Sequence, residues 1–460
     1  MPKNNFILAA FIFIIGVLIS IIILKIDEVY ILAFSLNIFI ATFLIKELIK
    51  HRGMSLFYGK TWILIGFLIF GGLGIIRSLF VTKEIELYNF NIFFLSFLLW
   101  IFGLLLFLIT YPFGNKSKGT KLVSLPKYNT YKTTRLALLL FVIGYVGYFL
   151  PYKDKLETLF IIKYGGYGTE IPTIKTSIQF LFGSFLLPAT AIGYLLIKKR
   201  KSIIIKCLLF ILIANAFFWI LVSGDRNNLL IMIFAIYCIS LHINKFPKNE
   251  NVSKKFSASW IKILLIFILC LVLIPSMAII RTAGVESLEK ETFFKAIKFM
   301  DYADTFDSTL FLVNIFPSQK DFMGLYSIYT IFVNPIPRKI WTSKPIGVGK
   351  ILVELQRGRP VPVGYSRAVS LPAESYINLG FLGVILNFSI LGIFVGKIDR
   401  IIKNNFEHWA ITIFSPLISF QLLMIIRGDL LTQFMRFLFI IFLPWIISLL
   451  LLGKSRNTSG

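Results

Sequence analysis

Charge is scarce in this chain, and acidic charge is scarcest: 15% of its 460 residues are Asp, Glu, Lys or Arg, and only 22 are acidic. So little charge excludes an ordinary water-soluble globule, because 57% of the residues are hydrophobic and the polar groups are too few to cover them. Cysteine and histidine are nearly missing, at three each. Cys207, Cys238 and Cys270 fall in apolar runs without CxxC spacing, which excludes a disulfide framework and signals no metal site. Internal repeats, low-complexity tracts and a separate soluble domain are absent as well.

What is there is apolar sequence in long runs. Stretches of about 17 to 25 residues match the length an α-helix needs to cross the hydrocarbon layer. Backbone groups in lipid must be satisfied within the segment, and the alternation of a membrane β-barrel is missing, so the class is an all-α polytopic membrane protein. Twelve spans are expected, at residues 6–24, 30–45, 61–81, 90–110, 136–150, 177–197, 203–222, 229–243, 263–280, 373–396, 409–426 and 437–452. The first reads as a retained helix, since no small-residue cleavage site follows it. The chain therefore reads as a single transmembrane domain over residues 1–460.

The net charge of +26 is spread through short loops and follows sidedness. With the one long loop left aside, alternate connections carry 25 and 8 lysines and arginines. The richer side holds both termini, which are therefore expected in the cytoplasm. Scattered cations of this kind point to topology and not to nucleic acid.

Residues 281–372 then form a large extracytoplasmic loop between the ninth and tenth spans, and loops of this length are usually functional. Its apolar pieces, Ser308 to Phe316 and Phe322 to Pro335, are too short to span and read as interfacial or re-entrant helices. His51, His242 and His408 all map to cytoplasmic loops or helix ends, so an outer active site draws its acid and base from other groups.

Arginine is the conspicuous outer residue, at Arg226, Arg281, Arg338, Arg357, Arg359, Arg367 and Arg427. Guanidinium forks bind phosphate oxygens bidentately and stay charged, although each arginine could equally pair with a headgroup or a loop carboxylate. Arg226 follows Ser223-Gly224-Asp225, a polar turn opening a helix, where the N-terminal dipole favours an anion and Ser223 or Asp225 can cap. Arg77, within an apolar run, either snorkels or faces a cavity. The stretch from Asn334 to Pro345 sets Arg338, Trp341 and Lys344 in a proline-stiffened turn. Trp341 is suited to anchor at the interface or to stack on a sugar. Ala373-Glu374-Ser375-Tyr376 opens the tenth span and places Glu374 at the outer surface, as a general base or as a helix-start acid favoured by the dipole.

These two stretches, with Gly224-Asp225-Arg226 and the twelve-helix plan, resemble oligosaccharide repeat unit polymerases of the Wzy type, the builders of O-antigen and capsule. An Arg-x10-Gly pattern of such polymerases is met by Arg338 and Gly349. The resemblance implies a metal-independent, GT-C-like membrane glycosyltransferase in the bacterial inner membrane, without a cofactor. It implies an undecaprenyl-diphosphate-linked oligosaccharide as substrate, the bilayer as surroundings, and a chain-length regulator and a flippase as candidate protein partners. Under it, Glu374 is the expected base with Asp304 and Tyr376 in reserve. Arg226, Arg281, Arg338 and Arg427 hold the diphosphate, and Trp341, Lys344, Arg357, Arg359 and Arg367 meet the sugars. Related O-antigen ligases use an outer histidine, which no outer segment here supplies. The rival readings are a flippase, an O-antigen ligase and a membrane acyltransferase.

Overall fold

The computed structural model describes residues 28–51, 54–78, 87–116, 125–126, 128–149, 182–199, 202–222, 226–245, 304–334, 336, 340–361 and 366–453. Among those residues 84% are helical and none form strands, as backbone satisfaction in lipid requires. In chain order the helices are α1 Glu28–His51, α2 Gly59–Arg77, α3 Phe90–Lys116, α4 Thr130–Phe149, α5 Leu186–Lys199, α6 Ile203–Val222, α7 Arg226–Lys245, α8 Thr305–Ile315, α9 Tyr326–Val333, α10 Val348–Arg357, α11 Leu371–Asn404, α12 Trp409–Arg427 and α13 Leu430–Leu452. α2 and α13 each carry a π-helical stretch, Phe67–Gly72 and Leu438–Phe442.

Among the described residues, seven helices are long and apolar enough to cross a membrane: α2, α3, α4, α6, α11, α12 and α13. The chain is thus a polytopic membrane protein in its helical composition. The spans expected at 30–45 and 229–243 fall in α1 and α7, and the one expected at 177–197 overlaps α5 from Leu186 on, its residues 177–181 lying outside the described residues. α5 has 14 residues, and the apolar part of α7, Asn227–Ile243, is shorter than a full span. The spans expected at 6–24 and 263–280 lie outside the described residues.

The most extensive helix pair among these elements is α3 with α11. Small residues let the two backbones approach: a Cβ at Gly103 would stand 2.8 Å from the Phe388 ring, and one at Gly392 would stand 2.8 Å from the Phe107 carbonyl oxygen. Aromatic rings fill the middle of the bundle. Phe67 meets Trp100 edge-on at 5.7 Å and Phe388 at the same separation. Such pairs add about 0.5–1.5 kcal/mol beyond the area they bury.

The segment read as interfacial or re-entrant at Ser308 to Phe316 forms α8, and it is buried among α2, α3 and α11. Thr305 bonds the Phe70 carbonyl at 3.0 Å, and Thr309 meets Ser370 at 2.8 Å. α9 packs on α13 and α11, and α10 buries only Val348, Gly349 and Leu352.

α11 is one helix in name and two in backbone. Leu379 and Gly380 leave helical geometry, Gly380 at φ 62° and ψ −145°. The carbonyls of Ile377 and Asn378 turn outward there and accept the backbone N–H groups of Met323 (2.8 Å) and Gly324 (2.7 Å). A break in an apolar helix is sustainable when a neighbouring segment satisfies the released groups.

Candidate functional site

The first half of α11, ahead of the break, carries the site. Ser370 caps it, its hydroxyl accepting from Ala373 N at 3.2 Å, and Pro372 sits in the first turn where its missing N–H costs nothing. Glu374 follows and is 1% exposed. Its Oε2 accepts from the backbone N–H of Leu430 at 2.8 Å, so the carboxylate of one helix start rests on the start of another, α13. Ser327 of α9 also hydrogen-bonds Glu374. The Ser327 hydroxyl accepts from Asn378 at 2.8 Å, and Asn378 also donates to the Glu374 carbonyl at 2.7 Å.

A second carboxylate stands beside the first. Asp429 caps α13, with Oδ1 accepting from Thr432 N at 2.7 Å, and is itself buried. The first turn of α10 sits over it: a Cβ at Gly349 would lie 3.0 Å from Asp429 Oδ2. Among the described residues, neither Glu374 nor Asp429 takes part in an ion pair. Two buried acids without a bonded cation form an unusual arrangement, because desolvated charge is costly unless it is paired. Gln421 and Gln433 lie deeper, joined by a 2.7 Å side-chain bond.

Around this pair the acids of α8 are matched with arginines. Arg367 donates to Asp304 Oδ2 at 3.1 Å and to Gln356 at 3.2 Å. Arg77, at the end of α2, bonds Asp307. The second oxygen of Asp304 is buried without a hydrogen-bond partner.

The expected site residues distribute as follows. Glu374, Asp304, Arg367 and Arg427 gather at this end of the bundle, Arg427 closing α12 two residues before Asp429. Tyr376 is buried between Phe322 (5.4 Å) and Phe381 (5.9 Å), ring edges against ring faces. Trp341 donates to Ser343 at 3.0 Å and meets the Tyr329 ring at 6.5 Å. The Lys344 ammonium is directed to the carbonyls of Asn334 (2.8 Å) and Ile336 (2.9 Å), where it closes the turn after α9. Arg357 and Arg359 are exposed at the far end of α10. Arg226 opens α7, and its side chain, with Ser223, Asp225, Arg281 and Arg338, lies outside the described residues. His408 caps α12 at the opposite end, and the His242 ring meets Phe406 at 4.9 Å there, tilted by 60°. α12 is 19 residues long, which separates His408 from Glu374 by about 28 Å.

Sequence reasoning passed over Asp429, Ser327 and Asp307. The available signal for Asp429 was an acid directly after Arg427-Gly428, between two apolar runs.

No family model matches the chain, and neither a curated protein nor a solved structure matches it.

Proposed function

We propose that this chain is a membrane glycosyltransferase that polymerises lipid-linked oligosaccharide repeat units, with twelve spans in a GT-C-like bundle of the bacterial inner membrane and both termini cytoplasmic. One observation carries the reading: Glu374 is fully buried at the head of a broken helix, is bonded by neutral donors only, and lies at the end of the bundle where arginines collect. A carboxylate in such surroundings is suited to take a proton from a sugar hydroxyl.

In this reading the donor is a growing chain on undecaprenyl diphosphate and the acceptor is a lipid-linked repeat unit. The acceptor oxygen forms a bond to the anomeric carbon, the bond from that carbon to the diphosphate breaks, and Glu374 takes the hydroxyl proton. A single displacement inverts the anomeric centre. Arg427, with Arg226, Arg281 and Arg338, balances the charge on the departing diphosphate, a role that permanent cations fill well. Asp304 and Tyr376 are the reserve groups, and Trp341, Lys344, Arg357, Arg359 and Arg367 are candidates for contact with the sugars. The test is polysaccharide length in cells carrying Glu374→Gln or Arg427→Ala at matched protein levels. Collapse to single repeat units is the expected result, and long chains in both variants refute the assignment.

A second reading, a carrier for lipid-linked sugars, is favoured by the break in α11, since discontinuous helices line the sites of many transporters. Deletion strains separate the two. A lost carrier leaves intermediates facing the cytoplasm, whereas a lost polymerase leaves single units exported and capped.

A further inference from the structure

α9 is amphipathic in the direction opposite to that of a water-soluble protein. Its apolar residues Ile328, Tyr329 and Phe332 fall on one helical face, which Leu325 just before the helix extends, and every one of them is exposed, Phe332 at 77% and Tyr329 at 48%. The residues turned inward are the hydroxyls Ser327 and Thr330, each 2% exposed. In water this helix would roll over to hide the first face and wet the second. Its fixed orientation has two visible causes. Ser327 is held by Asn378 and Glu374, and the strand of chain just before α9 is sewn to the broken backbone of α11.

The exposed face also continues into another. Phe322, 40% exposed, lies against Gly380, where a Cβ would stand 3.3 Å from its ring. Directly past that glycine, α11 shows an outward stripe of Phe381, Leu382, Ile385, Leu386, Ile390 and Phe394, all exposed. That stripe belongs to a helix long and apolar enough to cross a membrane, and so its natural solvent is hydrocarbon.

We propose that α9 lies in the bilayer, its outer face on lipid acyl chains, and forms the wall between lipid and the Glu374–Asp429 pair. The buried carboxylate is then separated from hydrocarbon by one helix, a thickness of about 10 Å. An amphiphile can approach such a site from the side, with its tail still in the membrane and its polar head at the end of α9. The inference stands on the polarity of α9 and does not need the transferase reading.

The test is collisional spin-label accessibility. In a protein with Cys207, Cys238 and Cys270 replaced by alanine, Phe332→Cys and Ile328→Cys are introduced singly, labelled, and reconstituted in phosphatidylcholine vesicles. Arg359→Cys serves as the aqueous reference, since that residue is exposed on a polar turn. At 328 and 332, oxygen, which concentrates in lipid, should relax the label several-fold more than a water-soluble nickel chelate, with the order reversed at 359. Chelate dominance at 328 and 332 overturns the proposal by placing α9 in water. Exclusion of both reagents overturns it too, by showing that protein covers the face, whether another segment of this chain or a second copy. Either failure leaves the Glu374→Gln result untouched.

Discussion

Asp399 and Glu374 stand near opposite ends of α11, and the chain around them treats the two carboxylates differently. Asp399 is saturated: it accepts from Gly59 N at 2.6 Å, Lys60 N at 3.0 Å and the Tyr111 hydroxyl at 3.0 Å, tying α11 to the start of α2 and to α3. Lys60 pairs with Glu47 of α1 and lies over the Tyr111 ring at 5.1 Å, so a cation stands in the same cluster. Glu374 has one backbone donor and one hydroxyl, a second acid as its neighbour, and a break in the helix one turn further on. A buried acid with its donors complete is a latch between helices. One with its donors incomplete, held beside a like charge, is a group prepared for chemistry.

The sharpest way to break that contrast is at Glu374. Glu374→Gln keeps an acceptor for Leu430 N, so stability in detergent should move by less than about 1 kcal/mol while polymer formation falls about 100-fold or more. A protein that loses its thermal midpoint instead would make Glu374 a second latch. Asp399→Ala is expected to do the opposite, leaving three donors unmatched and lowering unfolding stability by about 3 kcal/mol. Normal thermal stability in that variant would remove the distinction from the other side.

Gly380→Ala probes the break. The left-handed φ and the Phe322 ring both oppose a Cβ there, so about 1–3 kcal/mol of destabilisation is expected, read by thermal melting and by loss of activity. Ser370→Ala removes the cap that begins the Glu374 half of α11, a loss of about 1 kcal/mol, which melting in detergent can resolve. The smallest effect belongs to His408, whose ring nitrogen accepts from Ala410 N at the Asp399 end. Burial holds this imidazole below its ordinary 6.5. The unfolded chain therefore takes up the proton first, so stability present above pH 6.5 declines as pH falls below it. His408→Asn, which caps without titrating, should flatten that decline in a melting series against pH.

Much of the architecture was legible in the sequence because lipid imposes a length and a polarity on every crossing segment. α3, α6, α12 and α13 fall where their apolar runs place them. α5 and α7 are harder to read because a helix held inside a bundle need not cover the full hydrocarbon thickness. Glu374 was legible as an acid at a helix start, and Arg427 as a cation at a helix end. Their surroundings were not. Leu430 meets Glu374 across 56 positions, Arg77 meets Asp307 across 230 and Gly59 meets Asp399 across 340, and no local pattern encodes a meeting of that kind. Lys344 closes upon the carbonyls of Asn334 and Ile336, partners that its place in a proline-rich turn does not name. The break in α11 was hidden too, because Gly380 is one glycine among several in an apolar run.

Two hydrogen bonds at that break run main chain to main chain, from the N–H groups of residues 323 and 324 to the carbonyls of residues 377 and 378. Side chains on the strap can therefore change without removing these bonds, except at Gly324, whose φ of 65° opposes a side chain. A proline at either donor, which lacks the N–H, or a shift in strap length would part the join. The loop is left at liberty to diversify its outward chemistry while it keeps hold of the helix that carries Glu374.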